Sequence, residues 1–188
     1  RDDLRAFGAE LARAYFGAVR SALARVDPGR LYLGCRFAGH TPEALAAAAA
    51  HSDVLTFNIY AKTIDRVRGA FLEELDRPAL IGEFHFGVLD RGMFSAGLCM
   101  SGTTQQDRAT AYTRFVQGAL THPNIVGACW FQFRDQPLTG RWDGEGYAIG
   151  FEDVADTPYP ELIRASRAIG ESMYSLRSRS PIPHPADP

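Results

Sequence analysis

Apolar residues recur along the chain with two different spacings, and the way these spacings alternate predicts the fold. Leu4, Phe7 and Leu11 are three or four residues apart, as on one face of an amphipathic helix, and a proline-glycine turn ends this run. Helices are predicted on such grounds over 4–26, 41–50, 65–75, 103–120 and 160–176. Thr103 and Gln106 match a capping box at the start of the fourth helix.

Short apolar runs lie between these helices and predict four strands, over 31–37, 54–60, 79–87 and 125–133. The runs are continuously apolar instead of alternating, which is typical of parallel strands that are covered on both faces. Because each strand is followed by a helix, we expect an α/β fold with a parallel sheet.

The position of the polar residues favours one kind of α/β fold. A doubly wound sheet would carry a G-x-G-x-x-G sequence after its first strand, and this chain has none there. The candidate polar residues instead lie at the carboxyl ends of the strands, which form the active face of a (β/α)₈ TIM barrel. Four strands predict the C-terminal half of such a barrel, so we expect the chain to be a piece of a longer protein.

The strand over 79–87, ALIGEFHFG, ends by presenting a carboxylate and an imidazole. Strand alternation predicts that Ile81, Glu83 and His85 share one face, opposite Phe84 and Phe86. A buried carboxylate without a partner would cost at least the roughly 2–7 kcal/mol of an unpaired polar group. Two interpretations are open from the residues: a structural ion pair with an arginine, or a functional site.

Four segments together resemble a known family. RFAG, FNIY, IGEFHFG and WFQFRDQPLTGRWDGEGYAIGF, within residues 31–169, resemble the C-terminal half of the catalytic barrel of glycoside hydrolase family 50, the β-agarases. These are barrel glycosidases that retain the anomeric configuration. The resemblance implies that strands five to eight of the barrel are present here. It also implies a β-linked galactan such as agarose as substrate, and a secreted or periplasmic location.

The resemblance further implies that Glu83 is the catalytic nucleophile. The general acid/base glutamate would then belong to strand four, outside this chain. Retaining hydrolysis requires two carboxyl groups about 5–5.5 Å apart, so we expect the isolated chain to be inactive. The partner that it needs is the missing N-terminal half of the same barrel. Asp135 and Glu145 are the only substitute acids within the chain, and we expect neither to serve.

Seven strand-end residues are expected to bind the substrate: Arg36, Asn58, Tyr60, His85, Trp130, Gln132 and Asp135. Tyr60 and Arg36 can donate hydrogen bonds to a carboxylate that must stay ionised. Trp130 offers a flat face for sugar C–H groups, and alternation places it with Gln132 and away from the phenylalanines. A structural role is the alternative for each of them, above all for His85. The last loop adds Trp142, Asp143, Glu145 and Tyr147 as candidate subsite residues.

Composition narrows the possible partners. The formal net charge of −2 gives no support for a nucleic-acid or membrane-surface partner. The three cysteines lack the C-x-x-C spacing of a zinc site, so no structural metal or cofactor is predicted. No apolar run reaches the roughly 18 residues of a membrane span.

We expect residues 1–176 to form the partial barrel domain and 177–188, which are rich in proline, to form a disordered tail. Two rival functions stay open. In a metal-dependent barrel hydrolase, Glu83 and His85 would be metal ligands, with a third supplied by the missing half. In a non-catalytic, sugar-binding half-barrel, the carboxylate would have no acid/base partner.

Overall fold

A computed structural model describes residues 2–64, 72 and 75–179, in which helices and strands alternate. In chain order they are α1 (Asp2–Val26), β1 (Arg36–Phe37), α2 (Pro42–His51), β2 (Leu55–Asn58), β3 (Ala79–Phe84), α3 (Gln105–Thr121), β4 (Ile125–Trp130) and α4 (Pro160–Arg179). The predicted helix over 65–75 lies largely outside the described residues, as do residues 180–188 of the predicted tail. Residues 177–179 belong to α4, which continues past its predicted end.

The four strands form one parallel sheet in the order β1-β2-β3-β4, which confirms the predicted α/β class. Each strand lies beside the next strand of the chain. A doubly wound sheet would instead reverse direction at a switch point, as in the order 3-2-1-4-5-6. The carboxyl ends of all four strands therefore meet along one edge of the sheet.

The two edge strands are less covered than expected. Gly34 has a φ of 66°, in the left-handed region, which interrupts the extended backbone and leaves β1 only two residues long. Leu31 is 63% exposed and Val126 of β4 is 59% exposed. The expectation that these runs would be buried on both faces was therefore wrong. Within the described residues, β1 and β4 each pair with one neighbouring strand.

Helix α3 covers the sheet through the apolar face that its spacing predicted. Phe115 of α3 stacks on Phe84 of β3 with ring centroids 4.5 Å apart, and Tyr112 stacks on the same phenylalanine at 5.9 Å. Leu162 and Ile169 of α4 are buried. None of the helices in the described ranges is long and apolar enough to cross a membrane.

The caps of two helices were predicted with different success. Thr41 caps α2 and accepts a hydrogen bond from the Ala44 amide, with proline at the first helical position. The capping box of α3 is formed by Thr104 and Asp107, one residue later than predicted. The Asp107 carboxylate accepts hydrogen bonds from the backbone amides of Thr103 and Thr104. An anion at this position also suits the positive end of the helix dipole.

A β-bulge in β3 changes which residues share a face. Phe57 pairs with Ile81, but its neighbour Asn58 pairs with Glu83, so Gly82 is an additional residue in β3. Cross-strand partners share a face and adjacent residues of one strand do not. Ile81 therefore faces the core with Phe57, whereas Glu83 lies on the opposite face. The expectation that Ile81 and Glu83 share a face was wrong, because strict alternation holds only in a strand without a bulge.

Candidate active site

Glu83 is held at the carboxyl end of β3 by three side chains that lie at or just beyond the ends of β1 and β2. Its Oε1 accepts a hydrogen bond from Arg36 at 2.6 Å, and its Oε2 accepts from Asn58 at 2.8 Å and from the Tyr60 hydroxyl at 2.6 Å. The Glu83 side chain remains 18% exposed. Three of the seven predicted substrate-binding residues are thus brought to the predicted nucleophile. The ion pair with an arginine is present, but it is one of three interactions that converge on a reachable carboxylate.

The Tyr60 hydroxyl acts as a hydrogen-bond donor in this cluster. Its burial raises the pKa of Tyr60 far above the ordinary value, and the Glu83 carboxylate that accepts its hydrogen bond adds to the shift. The phenol therefore stays protonated at neutral pH and keeps donating to Glu83. With Asn58 and Arg36 it orients both oxygens of the carboxylate.

His85 makes contacts that differ from the sugar contacts predicted for it. The side chain is only 1% exposed, and its Nε2 accepts a hydrogen bond from the Leu98 amide at 2.8 Å. Its ring lies 4.7 Å from the Tyr60 ring and 5.8 Å from the Tyr147 ring. Burial, which outweighs the effect of the Phe131 carbonyl, lowers the pKa of His85 to about 4, so the imidazole is neutral at pH 7. His85 therefore packs against Tyr60 and holds the loop at Leu98.

Trp130 lies on the core side of the sheet, so the face predicted for it was wrong. It pairs with Phe84 in the register of β3 and β4, and their ring centroids are 5.2 Å apart. The rings of Tyr112 and Phe151 lie 5.4 and 5.6 Å away, and the indole nitrogen donates to the Ile149 carbonyl at 2.8 Å. Trp130 therefore shares the face of its partner Phe84, which is opposite to the face of Glu83.

The aromatic side chain that faces His85 is that of Phe131, which directly follows β4. The sequence patterns did not indicate this residue. The ring centroids of Phe131 and His85 are 6.2 Å apart, and the Phe131 amide donates to the Phe84 carbonyl at 2.9 Å. The sequence WFQF offers two adjacent aromatic residues, and a strand period of two cannot tell which of them points to the site.

Asp135 and Gln132 also make contacts other than those expected. Asp135 is buried, and its carboxylate accepts hydrogen bonds from the Tyr159 hydroxyl and the Gly150 amide, both at 2.6 Å. Both oxygens of the Asp135 carboxylate are thus engaged within the chain. Gln132 donates to the Arg134 carbonyl at 3.1 Å, and the structure gives it no contact with Glu83.

Arg108 of α3 is a buried supporting residue that the sequence analysis missed. Its guanidinium donates to the Phe86 carbonyl at 2.7 Å and to the Gly150 carbonyl at 2.6 Å, which ties the end of β3 to the last loop. Burial lowers the pKa of Arg108 to about 10, so the group is still charged at neutral pH. The spacing of Arg108 in the sequence could have indicated its burial. It precedes Tyr112 and Phe115 by four and seven residues, which places it on the apolar face of the helix.

A metal site receives no support from the residues that the structure describes, among which no three His, Cys, Asp or Glu side chains are grouped to hold an ion. Both oxygens of Glu83 are engaged by donors, and Nε2 of His85 accepts from a backbone amide. The cluster is instead organised as an anion held by hydrogen-bond donors.

Known proteins resemble this chain over most of its length. Beta-agarase B of Vibrio sp. (strain JT0107) is 45% identical over 172 residues, which are 89% of this chain and 18% of that protein. The crystal structure of an agarase, AgWH50C, superposes with a TM-score of 0.90 at 42% identity, over 95% of this chain and 28% of that one. The structure of PfGH50B superposes with a TM-score of 0.88 at 42% identity, over 93% and 26%. No protein-family profile matches the chain.

The matches cover a small share of each relative, since the chain spans 18% of the length of beta-agarase B. Over the matched residues, the sequence comparison and the structural superposition both give agarases or a GH50 protein as relatives. The predicted resemblance is confirmed: this chain is an agarase-like segment of glycoside hydrolase family 50.

Proposed function

We propose that this chain is the nucleophile-bearing half of a (β/α)₈ barrel glycosidase that cleaves β-linked galactans such as agarose with retention of configuration. The observation that carries the proposal is the Glu83 carboxylate, which is fixed by Arg36, Asn58 and Tyr60 and is still reachable from solvent. A nucleophile in covalent glycoside hydrolysis must be ionised, oriented and accessible. The three hydrogen bonds orient this carboxylate, and its partial exposure makes it accessible.

In the proposed reaction, a Glu83 oxygen attacks the anomeric carbon and forms a glycosyl-enzyme ester while the leaving-group oxygen takes a proton from a second carboxylic acid. Water, deprotonated by that second group, then hydrolyses the ester. Asp135 is engaged by Tyr159 and Gly150, and Glu145 pairs with Arg141 at 3.1 Å, so neither is free to act as this acid. The acid/base glutamate is therefore assigned to the half of the barrel that lies outside this chain, as the family resemblance implies.

The sheet itself supports the half-barrel. Strands that neighbour one another in chain order are expected for a barrel, and both edge strands have one side without a partner strand in the described part of the chain. The apolar face of α1 is also uncovered, with Leu4, Phe7 and Leu11 exposed. These surfaces are where the first four βα units of the barrel would close the sheet. Exposure of these apolar surfaces to water is energetically unfavourable, so we expect another part of the protein to cover them.

The test is Glu83→Gln in the full-length protein that contains this chain. The amide has the same shape but cannot attack, so release of reducing ends from agarose should fall by about a thousandfold or more, as for loss of other covalent catalysts. Binding and folding should be nearly unaffected. Glu171→Gln, an exposed position on α4, is the matched control and should keep full activity.

Two results would contradict the assignment. Glu83→Gln that retains a tenth of the wild-type rate would remove Glu83 from the role of nucleophile. A mechanism-based fluorosugar should become attached to the peptide that contains Glu83, and attachment at Asp135 or Glu145 would move the reaction to the last loop.

A further inference from the structure

We infer that Trp142 is a stacking platform for the galactan chain outside the pocket at Glu83, so that it selects long over short substrates. The inference rests on the proposed function and names a part of the binding site that acts at a distance from the reacting bond. Its evidence is the exposure of Trp142, the bracing of the loop that carries it, and the connection of that loop to the Glu83 site.

Trp142 is the most exposed large apolar side chain among the described residues, with 95% of its surface in contact with solvent. The other tryptophan, Trp130, is packed among aromatic rings, so the exposure of Trp142 is not a general property of this fold. Tryptophan has a large apolar surface whose contact with water is unfavourable, and exposed apolar surface often marks a binding site.

The loop around Trp142 holds the tryptophan in a defined place. The Arg141 amide donates to the Glu145 carbonyl at 2.6 Å, and the Gly144 amide donates back to the Arg141 carbonyl at 3.0 Å. The Arg141 guanidinium also pairs with Asp143 at 2.5 Å and with Glu145 at 3.1 Å. The residues on both sides of Trp142 are thus bound to one another, which lowers the conformational entropy that the loop would lose when a ligand binds.

The base of this loop is joined to the Glu83 site. Gln136 is fully buried; it donates to the Glu145 carboxylate at 2.7 Å and accepts from the Tyr147 amide at 2.8 Å. The Tyr147 ring lies 5.8 Å from His85, whose own ring contacts Tyr60, the donor to Glu83. The negative charge of Glu145 contributes to the raised pKa of Tyr60, so the loop is close enough to the site to interact with it electrostatically. The loop that carries Trp142 is therefore connected to the Glu83 site through these side chains.

The chemistry of the tip suits a neutral sugar polymer. The indole offers a flat apolar face to the C–H groups of a sugar ring. Beside it, one guanidinium is shared by two carboxylates, so the tip has a small net negative charge that disfavours a sulfated polymer. A neutral galactan long enough to extend beyond the pocket can reach both Glu83 and Trp142.

The experiment compares an agarose-derived octasaccharide with a tetrasaccharide, using the full-length protein and its Trp142→Ala and Trp142→Phe variants. The ratio of kcat/KM for the octasaccharide to that for the tetrasaccharide should fall about threefold to tenfold in Trp142→Ala, the range expected for one aromatic stacking contact. Trp142→Phe should restore most of the ratio. Tyr174→Ala, an exposed aromatic position on α4, is the control and should leave the ratio at the wild-type value.

Three results would overturn the inference. An unchanged ratio in Trp142→Ala, while Glu83→Gln remains inactive, would reject the platform and leave the proposed function standing. A lower melting temperature together with an unchanged ratio would show that Trp142 packs against the rest of the longer protein. A wild-type protein that hydrolyses neither oligosaccharide would overturn the proposed function and this inference with it.

Discussion

Replacing Trp130 tests whether its ring belongs to the core or to the sugar site. In the full-length protein, Trp130→Ala should lower the free energy of unfolding by about 3–5 kcal/mol, the range for a buried large aromatic residue cut to alanine. The upper half of that range is expected, because the ring contacts Phe84, Tyr112 and Phe151 and each aromatic pair contributes about 0.5–1.5 kcal/mol beyond its area. The kcat/KM of the enzyme that remains folded should be nearly unchanged.

Trp130→Phe separates packing from hydrogen bonding at the same position. It keeps an aromatic ring but removes the indole N–H that donates to the Ile149 carbonyl, so about 1 kcal/mol should be lost for the hydrogen bond. Urea unfolding curves of the wild type and both variants, measured beside agarose kinetics, give the two quantities. A large fall in kcat/KM without a loss of stability in Trp130→Ala would refute the core assignment and return Trp130 to the sugar site.

The two remaining predictions concern pH and assembly. The pKa of His85, which burial lowers to about 4, lies below the roughly 6.5 of an unfolded chain, so the unfolded protein binds more protons between these values. The free energy of unfolding should therefore fall by up to about 3 kcal/mol as the pH drops from about 6.5 to about 4. The measurement is the urea midpoint as a function of pH for the wild type and for His85→Gln, which cannot titrate at this position. If the two midpoints change with pH in parallel, the prediction is contradicted. The chain expressed alone should aggregate through its uncovered sheet edges. Co-expression with the preceding half of the longer protein should give a soluble, active complex. If the chain alone is a soluble monomer with a cooperative thermal transition, the half-barrel is contradicted.

The agreement between sequence and structure is best where a pattern is local. The helices over 2–26, 42–51, 105–121 and 160–179 follow from apolar spacing, because one face of a helix repeats every 3.6 residues whatever lies opposite it. The element boundaries agree less well. The cap of α3 is Thr104, one residue after the predicted Thr103, and β1 is shorter than the apolar run over 31–37 that predicts it. A strand is defined by its partners, so an edge strand cannot be delimited from its own residues.

The sequence by itself was also enough to bring Arg36, Asn58 and Tyr60 to Glu83. Each lies at or just beyond the carboxyl end of a strand, and the ends of parallel strands meet at one edge of a sheet, so topology alone places them together. Their roles in catalysis remain predictions for the experiments above. The confirmed family resemblance likewise came from short segments that are read along the chain.

Only the tertiary structure decided which face each residue occupies and which polar groups are buried. The additional residue at Gly82 reverses the faces of β3 beyond it, and a period of two cannot reveal a bulge that depends on the pairing with β2. His85 and Asp135 are buried, and their hydrogen-bond partners Leu98 and Tyr159 lie 13 and 24 residues away in the chain. Burial and pKa depend on such distant contacts, whereas helix periodicity and strand-end position are properties of neighbouring residues.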